Sequence, residues 1–480
     1  MNKILKIMES SGLLPIAIFA TALLSLFAVR AEAMIDGITG PSFALTAKAD
    51  YIVTGDGGAW LLWGYADANG SGRAQYPGST LFVTEGEQVT VALNNTLSVP
   101  VSIVFPGQGP VTDPVAGGSG TPGLLTREAA AGGGTVSYQF TASKPGTYMY
   151  HSGTQPDLQI EMGLVGAIIV RPQGFNPADK TTWKAYNHPG SAYDREFLFF
   201  LSEMDPLIHY YVEFFGMALL NGTDLLSTYF PNYWFINGRT ATDDLLGANA
   251  PGSGLFPTQP YNSVPMMRPG EKILMRVIGA GRQIHPFHHH GNHAQVIARD
   301  GRLLDTGTST GLPDLSAAVF TIQSAPGQTV DAIFEWTGKG MGWDIYGADA
   351  NHEHQCNGLT VAEAKALRAS TPGAGYFSTQ DAITKEWCKD HGKPIPVTLP
   401  ASLDLTMGPH FSGSPYLGRT QDPITLPPSM VGADGKPLFN PDGAYMFMWH
   451  SHSEKELCNF GVFPGGLLTM MMIHPDMMPE

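Results

Sequence analysis

Alternating apolar and polar positions predict short β-strands along most of this chain. From residue 80, the segment TLFVTEGEQVTVALNN contains two such runs, which the turn-prone pair Glu85-Gly86 separates. TVSYQF and GLVGAIIVRP continue the pattern, with Pro145-Gly146 between them. Short β-rich runs separated by Pro and Gly are typical of a β-sandwich.

The same pattern returns in a second unit. Its runs are EFLFFLSEMD, YWFINGRT, RPGEKILMRVIGAG and GQTVDAIFEWTG. From about residue 346 to 440 the strand pattern is replaced by a stretch rich in Pro, Gly, Asp and Thr. It resumes in GAYMFMWHSHSEKE and ends in GGLLTMMMI, whose methionines we assign to core packing.

These patterns predict an all-β fold of tandem β-sandwiches, and 480 residues suffice for two or three domains. We expect the first sandwich over residues 34–175. The second would comprise residues 190–345 together with 441–480, and residues 346–440 would form an insertion or irregular subdomain.

The first 33 residues have the pattern of an export signal. Lys3 and Lys6 precede an apolar run from Gly12 to Val29, and the small-x-small sequence Ala31-Glu32-Ala33 follows. We therefore expect cleavage near Ala33 and a mature protein that is periplasmic or secreted. An uncleaved signal anchor is the alternative, since the apolar run approaches the length that spans a bilayer.

The net charge of −15 and the lack of a Lys/Arg run argue against nucleic acid as a partner. The three cysteines leave at least one thiol unpaired in an oxidising compartment. Our disulfide hypothesis pairs Cys356 with Cys388 and leaves Cys458 free.

Histidine is concentrated where metal chemistry is to be expected. The run HPFHHHGNH holds five histidines in nine positions. His288 and His290 would leave one face of a strand together, and His450 and His452 repeat that spacing. Neutral imidazole suits copper, zinc, iron and nickel, so the residue type alone does not select the metal.

Three segments resemble the multicopper oxidases. HPFHHHG fits that family's HPxHxHG motif, WHSHSEKE resembles its HCHxxxH motif, and YMYHSGTQPDLQIEMGLVGAIIV resembles the end of its first cupredoxin domain. The resemblance implies copper as the cofactor and tandem cupredoxin-like Greek-key sandwiches, the second with a long irregular insertion.

Carried over position by position, the resemblance implies six metal-ligating histidines. His285 resembles a ligand of the electron-accepting type 1 copper. The others resemble ligands of the oxygen-reducing trinuclear cluster: His151, His288, His290, His450 and His452.

Other family ligand positions are lost. Val104, Pro106 and Gly153 stand where the resemblance implies cluster histidines. Ser451, Glu456 and Gly461 stand where it implies the type 1 cysteine, the second type 1 histidine and the axial ligand. Because a type 1 site needs a thiolate, we expect that none forms. Cys458 lies near, but it is displaced from the required position.

Further side chains have two interpretations each. Glu454 and Glu456 could complete a coordination sphere or shuttle protons, or they could lie in a solvated turn. His293 and the segment HEHQ, with His352 and His354, offer additional imidazoles for an accessory site.

Three functions are compatible with this sequence. The first is an exported copper-dependent oxidoreductase with a His-only site, whose unknown small-molecule or metal-ion reductant would reach that site directly, with O2 as a candidate oxidant. The second is a non-catalytic copper-binding or scaffold protein. The third, ranked lowest, is a nitrite-reductase-like copper enzyme, since Ser152 stands where such an enzyme has a cysteine. Homo-oligomerisation is compatible with all three.

Overall fold

The computed structural model describes residues 34–248, 251–339 and 444–474. The expected signal segment, the insertion at 346–440, Cys356, Cys388 and HEHQ lie outside these ranges. No helix within the described ranges is long and apolar enough to cross a membrane.

The first sandwich consists of two four-stranded sheets and a small hairpin. The sheet orders are β3-β2-β5-β8 and β1-β4-β10-β9. Parallel pairing of β2 with β5 and of β4 with β10 joins strands that are distant in the chain. The strands are β1 (Ile38–Thr39), β2 (Ser42–Val53), β3 (Ala59–Asp67), β4 (Gly78–Thr84), β5 (Gln88–Asn95), β6 (Thr121–Pro122), β7 (Arg127–Glu128), β8 (Gly134–Thr141), β9 (Gly146–His151) and β10 (Val165–Arg171), and helix α1 (Pro156–Gln159) follows β9.

The second sandwich packs a seven-stranded sheet against a five-stranded one. Their orders are β12-β11-β14-β20-β16-β17, with β18 beside β16, and β13-β22-β21-β15-β19. The strands are β11 (Arg195–Met204), β12 (Tyr233–Ile236), β13 (Met266–Met267), β14 (Lys272–Gly279), β15 (His285–His289), β16 (Ala294–Arg299), β17 (Arg302–Leu303), β18 (Ala317–Val319), β19 (Thr321–Ser324), β20 (Thr329–Glu335), β21 (Tyr445–Ser451) and β22 (Leu468–Ile473).

The prediction of an all-β fold is confirmed, and the alternating runs coincide with strands. TLFVTEGEQVTVALNN forms β4 and β5, and Gly86 adopts a positive φ of 87° in the turn between them. Met471 of the LLTMMMI run is fully buried in the core of the second sandwich. Short 3-10 helices lie at Lys180–Thr182, Pro189–Ser191, Asp243–Leu245 and Glu454–Leu457.

Two helices after β11 were missed by the strand pattern. They are α2 (Pro206–Phe214) and α3 (Gly216–Leu220). Asp205 caps α2 by accepting a hydrogen bond from the Leu207 N–H, and Pro206 occupies the first turn. Ile208 and Val212 pack into the core of the first sandwich, so α2 bridges the two units.

A buried ionic network joins the sandwiches. Arg171 of β10 donates to both carboxylate oxygens of Glu196 in β11. Arg276 of β14 lies 2.9 Å from Glu196 Oε2 and 2.9 Å from Thr147 Oγ1 of β9. Asp331 accepts from Thr147 Oγ1 at 2.6 Å. These groups exclude water and satisfy one another's charges, so they fix one sandwich against the other.

We expect Glu196→Gln to lower the free energy of unfolding by about 3 to 5 kcal/mol at neutral pH, because two buried arginines then lack a full negative partner. Burial alone would raise the pKa of Glu196, but Arg171 and Arg276 outweigh it and lower the pKa from 4.5 to about 2. A depressed pKa adds stability above pH 4.5 that is lost as the pH falls towards 2. The deficit of the variant should therefore shrink on acidification.

Urea unfolding at a series of pH values measures this deficit. Glu335→Gln is the matched control, since Glu335 ends the neighbouring strand β20 with an exposed side chain. Equal stability of the two variants would contradict the structural role of the network.

Candidate metal centre

Strand pairing brings four of the predicted histidines together. In the antiparallel pair of β15 and β21, His288 lies directly opposite His450, and Phe287 lies opposite Ser451. Side chains of directly paired residues point to the same face of a sheet, and so do side chains two positions apart along one strand. His288 and His450 therefore share one face, and His290 and His452 follow on the same side.

The four imidazole rings form a compact cluster. Ring centroids lie 4.8 Å apart for His288 and His290, 5.0 Å for His290 and His450, 5.2 Å for His450 and His452, and 4.4 Å for His452 and His288. Within the described ranges, no group of three or more His, Cys, Asp or Glu side chains already has metal-site geometry. The cluster is thus a set of converging donors whose rings must still turn to share an ion.

The donor set nevertheless fits a metal such as copper or zinc. His290 Nε2 and His450 Nε2 are 3.1 Å apart, and nitrogens that share a tetrahedral ion at about 2 Å lie roughly 3.3 Å apart. His450 Nδ1 donates to the Ser451 carbonyl oxygen at 2.7 Å, which leaves the lone pair on Nε2 in the neutral ring. His288 Nδ1 lies 2.8 Å from Thr321 Oγ1. Such bonds orient ligating imidazoles in metal sites.

Burial favours the neutral form of two of these rings, which is the form that metals require. Burial lowers the pKa of His450, and burial with the neighbouring His452 and His450 lowers that of His288 to about 3. The His452 side chain is 51% exposed. The cluster is therefore accessible to small molecules on one side and embedded in protein on the other.

His151 is the one predicted ligand that belongs to the first sandwich. It ends β9, where Val104 N–H donates to its carbonyl oxygen at 2.8 Å and its own Nδ1 donates to the Ser152 carbonyl at 2.9 Å. Among the described residues it makes no ring contact with the other predicted ligands. A Cβ on Gly153 would lie 2.8 Å from Val104 Cγ1, so a second histidine of that motif would require the Val104 side chain to shift.

His285 occupies a separate pocket on the opposite face of β15. It is fully buried, with Nδ1 3.0 Å from Glu456 Oε2 and Nε2 2.8 Å from Glu203 Oε2. Burial lowers the pKa of His285, but hydrogen bonds to these carboxylates dominate and raise it to about 9. Ser451 Oγ donates to Glu456 Oε2 at 2.6 Å. This pocket holds a charged imidazolium between two carboxylates.

Sequence reasoning found part of this pocket and missed the rest. Glu454 is 82% exposed, as a solvated turn implies, whereas Glu456 of the same turn is buried. Glu203 was not identified, because it belongs to no motif. Its only signal is an acidic residue inside the apolar run of β11. His293 contacts Phe320 outside the cluster, and Cys458 is a free cysteine.

Comparisons with known proteins agree with the resemblance seen in the motifs. Residues 70–174 match the family model described as multicopper oxidase. A probable nitrite reductase-hydroxylamine oxidoreductase fusion protein of Kuenenia stuttgartiensis is 26% identical over 303 residues, 61% of this chain and 28% of that protein. Laccase 1 of Metarhizium acridum is 34% identical over 119 residues, 24% of this chain and 19% of that protein.

The chain thus spans less than a third of the length of these two relatives. Among solved structures, the blue copper oxidase of Nitrosomonas europaea aligns with 90% of this chain and 85% of its own, with a TM-score of 0.48 and 17% identity. The family model and the laccase match thus show that part of this chain is similar to multicopper oxidases, and the tandem sandwiches agree with that similarity.

Proposed function

We propose that this chain is an exported copper-dependent oxidoreductase with a copper site made only of histidines and no type 1 copper. The observation that carries the proposal is the convergence of His288, His290, His450 and His452 on one face of β15 and β21. Export rests on the N-terminal signal pattern of residues 1–33. His285 is left out of the proposed ligand set, because both its ring nitrogens already bind carboxylates.

The residues of the proposed site have different roles. Imidazole ligands suit copper, which when bound would exchange single electrons with a reductant. Thr321 and the Ser451 carbonyl oxygen hold the rings of His288 and His450 in orientation. The exposed His452 leaves an open side, where a small molecule or a metal ion can approach. The reductant would therefore give its electrons to the copper at the histidine site itself, rather than to a separate type 1 centre.

The oxidant is proposed to be O2, as the similarity to multicopper oxidases suggests. Nitrite is the second candidate, because the relative that matches over 61% of this chain bears a nitrite reductase name. Both would bind at the same histidine cluster, so a comparison of the two oxidants distinguishes the candidates.

His151 makes no ring contact with the four rings among the described residues, so we propose that it joins this site from another copy of the chain. We therefore include a homo-oligomer in the proposal. Sedimentation of the copper-loaded protein measures it, and a strictly monomeric species that retains the full copper content would exclude a role for His151.

We expect His288→Ala and His450→Ala to lose most of the copper bound at the cluster, because each removes one of the converging imidazoles. Copper per chain after dialysis, measured by elemental analysis, tests this expectation. The matched control is His293→Ala, a histidine of the same run that lies outside the cluster and should retain copper. Equal copper content in all three variants would exclude the cluster as the site.

Oxygen consumption tests the activity that the copper supports. With phenols, Fe(II), Mn(II) or Cu(I) as reductants, we expect a copper-dependent rate that His288→Ala and His450→Ala reduce at least about tenfold, through loss of the metal. Nitrite replaces O2 in a parallel assay. If the protein binds copper firmly and is inert with every reductant and either oxidant, it is a copper-binding protein and the enzymatic proposal is wrong.

The colour of the copper-loaded protein tests the ligand set. Imidazole-bound copper lacks the intense absorption near about 600 nm that a thiolate-copper bond produces. We expect weak visible absorption and the EPR signal of an ordinary cupric site. A strong blue colour in the unmodified chain would contradict the absence of a type 1 centre.

A further inference from the structure

The second pocket of this sandwich, around His285, contains no proposed metal ligand. We propose that Glu456 excludes metal ions from this pocket, by holding the His285 ring as a hydrogen-bond donor in the place where the family resemblance puts a type 1 copper. The inference concerns a pocket other than the four-histidine cluster. It rests on the proposed function only in assigning copper to that cluster.

The hydrogen bonds of His285 leave no lone pair for a metal. A carboxylate oxygen only accepts hydrogen bonds, and both ring nitrogens of His285 face one, at 3.0 Å for Glu456 and 2.8 Å for Glu203. Both nitrogens therefore carry protons. A metal ion binds imidazole only at a deprotonated nitrogen.

Glu456 lies on the side of the ring where a metal would need to lie. Its Oε2 is 3.0 Å from His285 Nδ1 and 2.6 Å from Ser451 Oγ. The carboxylate oxygen is thus between the two side chains that the resemblance pairs across a copper ion. Ser451 stands where the resemblance implies the type 1 cysteine, and Glu456 stands where it implies the second type 1 histidine. The two side chains hydrogen-bond to each other, so the pocket is filled without a metal.

Glu203 has a different role on the far side of the ring. Its Oε1 accepts the Gln283 N–H at 3.0 Å, and its carboxylate lies so close to Gly281 that a Cβ there would overlap it. The backbone therefore fixes Glu203 in place. A carboxylate that accepts from one imidazole nitrogen orients the ring for a metal on the other. Removal of Glu456, with Glu203 retained, should therefore suffice to open the pocket.

Charge balance explains why the pocket is stable without a metal. Two buried carboxylates repel each other unless a cation lies between them. The imidazolium of His285 supplies that cation and bonds to both. Copper at this position would have to displace the proton from Nδ1 and the carboxylate from Ser451, so it is directed to the cluster on the other face.

The test compares Ser451→Cys with the double variant Ser451→Cys/Glu456→His. Both are made in the 480-residue chain with Cys458→Ser, so that the cysteine nearest in sequence to the pocket cannot contribute to colour. We expect the single variant to stay without intense absorption after copper loading, because Glu456 still occupies Nδ1 of His285. The double variant should show strong absorption near about 600 nm and one additional copper per chain. Adding His285→Gln to the double variant should abolish both.

A blue single variant would overturn the proposal, since Glu456 would then not exclude the metal. A folded double variant that takes up no additional copper would overturn it as well. If the double variant does not fold, Ser451→Cys/Glu456→Ala decides, with Co²⁺ as the probe, because it keeps a thiolate and the His285 imidazole in the pocket. We expect one additional Co²⁺ per chain that His285→Gln removes, and uptake equal to that of the parent would overturn the proposal. Failure of the proposed function is visible separately, as absence of copper from the unmodified chain.

Discussion

Every chemical feature of the second sandwich depends on the register of two paired strands. Because β15 and β21 pair with His288 opposite His450, one face of the ribbon carries the four-histidine cluster. The other face carries His285 and Ser451. A shift of one residue would exchange the faces and bring the ion-paired pocket to the side of the cluster. The four-histidine cluster and the ion-paired pocket around His285 thus lie on opposite faces of the same pair of strands.

The strands and the shared faces of the two histidine pairs could be predicted from the sequence, because side chains alternate between the two faces of a strand with a period of two residues. Apolar alternation predicts a strand without knowledge of its partner, and two histidines separated by one residue then share a face. The helices at 206–220 did not follow from that period. Their signal was local, with Asp205 as the cap and Pro206 in the first turn.

Partners that are distant in the chain were beyond sequence reasoning. Glu203 and His285 are 82 positions apart, and Glu456 is 171 positions from His285. Whether Glu456 lies in a solvated turn or in a buried ion pair depends on what packs over it, and the alternation pattern contains no such information. For the same reason, the sequence could not show which of the predicted histidines make ring contacts with one another.

The joint between the sandwiches combines an ionic network with an apolar cluster, in which residues of the first sandwich such as Tyr76 pack against residues of the second such as Phe235. Arg171, Glu196 and Arg276 are buried and ion-paired, so a relative displacement of the sandwiches would separate charges in a medium that screens them weakly. The ionic network therefore adds a directional constraint that the apolar cluster alone does not provide.

The packing around Gly153 has a consequence for placing a ligand in the first sandwich. A Cβ added at this position would lie 2.8 Å from Val104 Cγ1 and 3.1 Å from Ser102 Oγ. Because both atoms belong to side chains, a histidine at position 153 needs the Val104 side chain to turn or to be replaced. Positions 104 and 153 are therefore coupled, and a metal ligand at the end of β9 would have to be designed at both together.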